Sequence, residues 1–138
     1  MVGMDGMFSA AIAALVLTQA AAAGSVSLEH QTSARGGQVV VAVFSSEDNW
    51  KKNQHPVRTL RLQPGQSIQI EGLAPGRYGI MAFHDKNSDG KLNTLPIGLP
   101  TEPYGFSNNA RGRFGPPNWQ AASFEVRATM VSQSIRLR

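Results

Sequence analysis

The densest run of chemically active side chains in this sequence begins at Asp85. Asp85, Asn87 and Asp89 stand at alternate positions and Gly90 follows them, in the pattern D-x-N-x-D-G. Calcium takes six to eight oxygen ligands, and a loop supplies them when carboxylates or amides recur at every second residue before a sharp turn. The pattern therefore predicts a site for calcium or a similar hard cation in the loop 85–93.

The second half of this loop offers fewer donors. Lys91 contributes its backbone carbonyl at the seventh place and Asn93 a side-chain oxygen at the ninth. Pro96 occupies the twelfth place, where a bidentate Glu usually completes a calcium loop. We therefore predict that Glu102, further along the chain, supplies the missing carboxylate. The alternative is a metal-free loop, because Asp and Asn at turns also accept backbone hydrogen bonds.

A histidine beside a carboxylate raises the alternative of a hydrolase. His84 precedes Asp85, and Ser107 is a candidate nucleophile. No nucleophile elbow or oxyanion hole accompanies them, and a strand-end histidine bonded to a carboxylate or carbonyl is the favoured interpretation. His30 and His55 form no zinc-type pair with it. The sequence predicts a non-enzymatic domain without catalytic residues.

Aromatic residues beyond the loop suggest a second alternative, a carbohydrate- or envelope-binding module. Tyr104, Phe106 and Trp119 are the candidate contact surface, with Arg111 and His84 as further candidate ligand contacts. This hypothesis requires exposed, coplanar rings. Packing of the rings against a neighbouring strand would exclude it.

Two apolar segments predict the strands that position these residues. Residues 39–44 are apolar without interruption, and residues 77–84 have no polar face, which is typical of strands buried on both sides. A second layer must therefore cover the outer face of their sheet. We predict that residues 94–120 form a long ordered flap with that role.

The remaining elements favour an all-β fold. Alternating apolar and polar residues predict strands at 25–29, 58–62, 67–71, 122–127 and 131–138. Pro64-Gly65 predicts a hairpin turn between the second and third of these, and Ser45 or Ser46 predicts the cap of a helical turn through Trp50. We predict a single antiparallel β-sandwich of about seven strands, prealbumin-like or Ig-like, over residues 24–138.

The first 23 residues have the pattern of an export signal. An apolar helix-length run ends in small residues, with Ala21 and Ala23 in an A-x-A arrangement before Gly24. Asp5 is the only charge before the run, which departs from the usual basic start. We predict a periplasmic or secreted protein without a stable membrane span after cleavage; the alternative is a retained apolar anchor.

Composition narrows the classes of partner. Among 138 residues there is no Cys, so no disulfide framework is expected. Removal of residues 1–23 takes away Asp5 and none of the 13 Lys and Arg residues, which raises the net charge from +4 to +5. The basic residues are scattered, unlike those of nucleic-acid-binding proteins. We expect no nucleic-acid partner, and consider an envelope glycan or protein as partner.

Two segments of the chain read GRYGIMAFHDKNSDGKLN, at 76–93, and IGLPTEPYGFSNN, at 97–109. They resemble a bacterial exported family designated domain of unknown function 2141. The resemblance implies an exported β-sandwich and adds no catalytic residue. The family often has Asp where this chain has Asn93, so one carboxylate is missing here. More distantly, L-x-P-G-x-Y at 73–78 is similar to prealbumin-like and collagen-adhesin B-type sandwiches.

Overall fold

The computed structural model describes residues 22–86, 102–113 and 115–138, and in these ranges the chain is mostly β. The strands are β1 (Gly24–Gln31), β2 (Gln38–Phe44), β3 (Arg58–Leu62), β4 (Ile68–Leu73), β5 (Gly76–Asp85), β6 (Tyr104–Phe106), β7 (Phe124–Val126) and β8 (Met130–Arg136). The helices are α1 (Glu47–Lys52) and α2 (Trp119–Ala122), and a 3-10 turn spans Ser107–Asn109. The all-β prediction is confirmed. The predicted signal helix lies outside the described residues.

The strands form two sheets, which pack as a β-sandwich. The smaller sheet has the order β4-β1-β8 and the larger sheet the order β3-β2-β5-β6. One edge of β5 pairs with β2 along its length, while the other edge pairs first with β7 and then with β6. Strand β5 is therefore the centre of the larger sheet, and it leads directly into the loop 85–93.

Aliphatic side chains from both sheets fill the space between them. Because side chains alternate along a strand, every second residue of β1, β2 and β5 faces this interior. The fully buried members are Val26, Leu28, Val39, Val41, Val43, Ile80, Ala82, Val126 and Ile135. Burial of a side chain of this size contributes about 1.5–3 kcal/mol, so this core is the main source of stability.

The predicted hairpin at Pro64-Gly65 is wrong. Strand β3 pairs with β2 in the larger sheet, whereas β4 pairs with β1 in the smaller one. The turn thus carries the chain across the sandwich, and Leu62 and Ile70 both face the interior, from opposite sheets. A Pro-Gly turn between two alternating strands has the same local sequence pattern in a hairpin and in a connection between two sheets. The strands against which each segment packs decide which of the two forms.

One pair of strands also departs from the predicted antiparallel arrangement. Strands β1 and β8 run parallel, from Ser25 opposite Met130 to Gln31 opposite Arg136. The other described pairs are antiparallel. The alternation of side chains does not encode strand direction. The parallel direction arises here because the first and last strands of the chain pair with each other.

An aromatic layer covers the outer face of the larger sheet. It contains Phe44, Trp50, Phe106 and Trp119 together with Ala122. Three ring pairs, each with Trp50 as one partner, meet edge-to-face at centroid distances of 5.5–5.9 Å. In the described part of the predicted flap, Phe106 and Trp119 lie in this layer together with Trp50 of α1. Strand β6 inside the flap was not predicted.

Helix α1 brings Trp50 into this layer. Ser46 caps the helix, since its Oγ accepts a hydrogen bond of 3.2 Å from the Asn49 N–H, which confirms the predicted cap. Trp50 Nε1 donates to the Pro117 carbonyl at 2.9 Å. Gly79 makes room for the rings, because a Cβ there would lie 2.9–3.0 Å from the indoles of Trp119 and Trp50. The aromatic layer is thus tied to the central strand.

Candidate functional site

The two ends of the segment that contains the loop come together at the end of β5. Pairing with the second strand continues beyond β6, since the His84 N–H donates to the Pro103 carbonyl at 2.8 Å. The same register places Glu102 opposite Asp85. The Lys86 N–H then donates to Glu102 Oε2 at 2.8 Å. The carboxylate proposed from the sequence as the missing ligand therefore lies at the base of the loop.

Both carboxylates are buried. Asp85 is fully buried and Glu102 is 5 % exposed. Burial of a carboxylate is costly unless it is hydrogen-bonded or paired, and like charges directly opposite across a ladder destabilise it. Asp85 and Glu102 both make interactions in addition to the bond between Glu102 and the Lys86 N–H. The pair is thus a built internal feature of the molecule, with two acidic side chains at the base of the loop.

The other predicted ligands, Asn87, Asp89, Lys91 and Asn93, lie outside the described residues. Within 22–86, 102–113 and 115–138 there is no group of three or more His, Cys, Asp or Glu side chains that could hold a metal ion. A complete cation site at Asp85 and Glu102 therefore needs donors from the intervening segment.

His84 faces away from Asp85. Successive residues of a strand point to opposite sides, so His84 lies in the interior between the sheets. Its Nε2 donates to the Gly36 carbonyl at 2.6 Å, and its Nδ1 accepts from the Thr32 hydroxyl at 2.8 Å. A carbonyl only accepts, so the neutral ring carries its proton on Nε2. This is the carbonyl-bonded strand-end histidine favoured by the sequence.

Ser107 is also enclosed. It is fully buried, accepts a hydrogen bond of 2.9 Å from the Ile80 N–H and donates to the Ala122 carbonyl. Its hydroxyl thus joins β5 to α2, and its partners differ from those of His84. The hydrolase hypothesis requires His84 and Asp85 to open into a cleft within hydrogen-bond reach of each other or of Ser107. Both side chains are fully buried, and as successive strand residues they face opposite sides of the sheet.

The two residues after Ser107 tie the flap to the last strand. Asn108 and Asn109 adopt positive φ angles of 60° and 49°. The Asn108 side-chain amide donates to the Ala121 and Ser123 carbonyls, and its oxygen accepts from Gln133. Asn tolerates this backbone region better than most residues. The S-N-N segment is therefore a structural latch, a role that sequence analysis did not assign to it.

A model of a family described as uncharacterized protein conserved in bacteria (DUF2141) matches residues 29–134. The chain belongs to the DUF2141 family. The match extends from β1 into β8 and includes the buried carboxylates and the latch, so the resemblance noted in the sequence is confirmed. Comparisons with curated proteins and with solved structures give no match.

The aromatic residues of this DUF2141 chain serve mainly as internal packing. Phe106 and Trp119 are 5 % and 9 % exposed, and Tyr104 is half-buried with its ring at 76° to that of Phe106. A sugar-stacking surface needs exposed, coplanar faces, and these rings have neither arrangement. Arg111 is exposed and lies beside Tyr104 in a surface cleft.

His30 is a buried titratable group for which sequence analysis found no zinc-type partner. It lies on β1, is 5 % exposed, and its Nε2 accepts from the Gly65 N–H at 2.8 Å. Its Nδ1 has no hydrogen-bond partner in the described part of the chain. Burial, and then the nearby His84, lower the pKa of His30, and the backbone at Gln66 acts in the opposite direction.

The described ranges contain no helix with the length and apolar character needed to cross a membrane.

Proposed function

We propose that this DUF2141 protein binds calcium, or a similar hard cation, at the loop 85–93, with Glu102 as the carboxylate that closes the site. The observation that carries the proposal is the position of Glu102. It is buried opposite Asp85 and held by the Lys86 N–H. A residue distant from the loop in sequence thus lies beside the first two residues of the loop segment, Asp85 and Lys86.

The donor set suits calcium. Asp85, Asn87, Asp89, Asn93 and Glu102 offer hard oxygen atoms, and calcium prefers such ligands at 2.3–2.6 Å. Bound calcium would interact favourably with both buried acidic side chains. Asx-type hydrogen bonding within a metal-free loop is the competing arrangement.

Charge and ligand type predict a weak site. Lys86 and Lys91 reduce the attraction for a cation, and Asn93 offers an amide oxygen in place of a carboxylate. A Kd of about 10⁻⁴–10⁻³ M, the range of extracellular calcium modules, fits this composition. Such a site would be filled outside the cytoplasm, and its role would be structural: to fix the flap over the larger sheet.

We further propose that the protein is non-enzymatic and exported. The apolar run and the A-x-A pattern support export. Strand β1 begins at Gly24, the residue that follows the expected cleavage site, so removal of residues 1–23 would leave every described strand intact.

The first experiment is a calcium titration of protein freed of metal with EDTA. We expect heat of binding with a Kd of about 10⁻⁴–10⁻³ M. At a calcium concentration one hundred times Kd, binding stabilises the folded state by about 2.7 kcal/mol, so the Tm should rise by several degrees. The variant Glu102→Gln keeps an oxygen that can accept from the Lys86 N–H, and should bind calcium at least tenfold more weakly.

The matched control is Glu71→Gln, which removes one exposed carboxylate on β4 and should leave calcium affinity within twofold of wild type. If wild-type protein gives no heat and no thermal shift with millimolar calcium, the loop is self-bonded and the proposal is wrong. Equal losses in Glu102→Gln and Glu71→Gln would contradict the assigned position of the site.

A further inference from the structure

A second site is indicated by a cleft at the end of β8. Its volume is about 280 Å³, and it is lined by Tyr104, Asn109, Arg111, Arg136 and Arg138 with adjoining backbone. Three arginines thus line one cleft, and none of the lining residues is an Asp or Glu. In the described part of the chain, no ion pair joins these three arginines to a carboxylate. Among the described residues, the cleft therefore carries an excess of basic side chains.

The backbone that carries the arginines is firmly held. The Arg136 N–H donates to Asn109 Oδ1 at 2.9 Å, and Tyr104 and Arg138 exchange two backbone hydrogen bonds of 3.0 Å. Gly105 allows the close contact of β6 with β8, because a Cβ there would lie 2.5 Å from the Arg136 carbonyl oxygen. The latch and the strand pairing thus fix the positions from which the arginines extend.

We propose that this cleft binds a small anionic ligand that carries a phosphate or sulfate group on a ring-sized organic part. Guanidinium groups match tetrahedral oxyanions through paired N–H donors. The combined positive charge of three arginines is larger than a single carboxylate could neutralise. Since water occupies about 30 Å³ per molecule in the liquid, the cleft has room for an oxyanion and a monosaccharide-sized ring. The half-buried ring of Tyr104 supplies an apolar wall for that part.

The proposal is independent of calcium binding, because its residues share none of the proposed calcium ligands. The titrations are therefore made in the presence of EDTA.

The probes are inorganic phosphate, inorganic sulfate and glucose 6-phosphate, with glucose as the uncharged control. Binding is followed by amide chemical shifts of the full mature chain at low salt. We expect saturable shifts at Tyr104, Asn109 and Arg111, tighter binding of glucose 6-phosphate than of either inorganic ion, and none of glucose. The ratio of phosphate to sulfate affinity identifies which oxyanion the cleft prefers.

Single variants locate the site. Arg111→Gln, Arg136→Gln and Arg138→Gln should each weaken glucose 6-phosphate binding about tenfold, the effect of one charged hydrogen bond. Arg61→Gln removes the same charge from an exposed position on β3 and should change the affinity less than twofold. Thermal unfolding of each variant checks that the fold is retained.

Three outcomes would overturn the proposal. One is the absence of saturable shifts in the wild-type chain. Another is an equal loss of affinity in Arg61→Gln, which would indicate general charge attraction. The third is a loss in Arg136→Gln and Arg138→Gln but not in Arg111→Gln. That result would move the ligand to the hollow beside Gln31, Thr32 and Ser33, which the first two arginines also line.

Discussion

The two interior histidines show how single residues meet the cost of burial in different ways. His84 has a hydrogen-bond partner for each ring nitrogen, Thr32 and Gly36. His30 uses Nε2 to accept from the Gly65 N–H, which leaves the proton of the neutral ring on Nδ1. Protonation of His30 would place a second N–H against the N–H of Gly65. The folded state therefore favours its neutral form.

This preference predicts acid sensitivity. The pKa of His30 is lowered in the folded state from its ordinary value of 6.5, so the unfolded chain binds the proton more readily. The contribution of His30 to stability is complete above pH 6.5 and is lost progressively as the pH falls toward the lower folded pKa. Urea unfolding at pH values from 5 to 8 should show this decline, and His30→Gln should reduce its slope.

The control is His55→Asn, which changes an exposed histidine with a φ of 53° to a residue that tolerates this angle. Its unfolding free energy should follow the pH dependence of wild type. A slope that is unchanged in His30→Gln would contradict the assignment to His30.

At the scale of elements, the turn Ser107–Asn109 connects parts of the chain that packing alone would hold loosely. Ser107 bonds to β5 and to the carbonyl of Ala122, while Asn108 and Asn109 bond to α2 and β8. The helix α2 has only four residues and is too short to be stable alone. The flap therefore depends on this latch and on the aromatic layer.

Two substitutions at Asn108 separate its hydrogen bonds from its backbone angle. Asn108→Gly keeps the positive φ but removes three side-chain hydrogen bonds, and should cost about 1–3 kcal/mol of unfolding free energy. Asn108→Ala adds the steric cost of a Cβ at positive φ, about 1 kcal/mol more. Urea unfolding at pH 7 measures both values.

Asn53 provides the matched control, because it too has a positive φ, of 50°, at the end of α1. Its side chain makes no hydrogen bond within the described ranges, so Asn53→Gly should change stability by less than about 0.5 kcal/mol. If Asn108→Gly is equally neutral, the latch contributes nothing measurable to the fold.

On the scale of the whole molecule, β5 organises three layers. One side of this strand faces the interior shared with the smaller sheet, and the other side faces the aromatic layer. Both strands with continuous apolar sequence, β2 and β5, lie at the centre of the larger sheet. The first described strand of this arrangement begins at Gly24, directly after the proposed signal.

Export is tested on the intact chain expressed in a bacterial host. We expect the mature protein to begin near Gly24 and to appear in the periplasm or medium, as measured by mass spectrometry of the purified protein. Ala23→Asp places a charge at the cleavage position and should block processing, whereas Ala14→Gly within the apolar run should be processed. Recovery of wild-type protein with residues 1–23 still attached would support the retained anchor instead.

The sequence by itself determined the fold class and most of the strands. Alternation identified β1, β4, β7 and β8, and unbroken apolar runs identified the two central strands, because burial of one or both faces is imposed residue by residue along a strand. The need for a cover over the larger sheet followed from the same argument. The segments at 76–93 and 97–109 were also sufficient to indicate the DUF2141 family.

Only the tertiary structure decided which elements meet. It assigned β3 and β4 to different sheets, made β1 and β8 parallel, and placed Glu102 opposite Asp85. It also gathered Arg111, Arg136 and Arg138 around one cleft. The physical reason is that local pattern reports how deeply a residue is buried, whereas its partner is chosen by the packing of segments far apart in the chain.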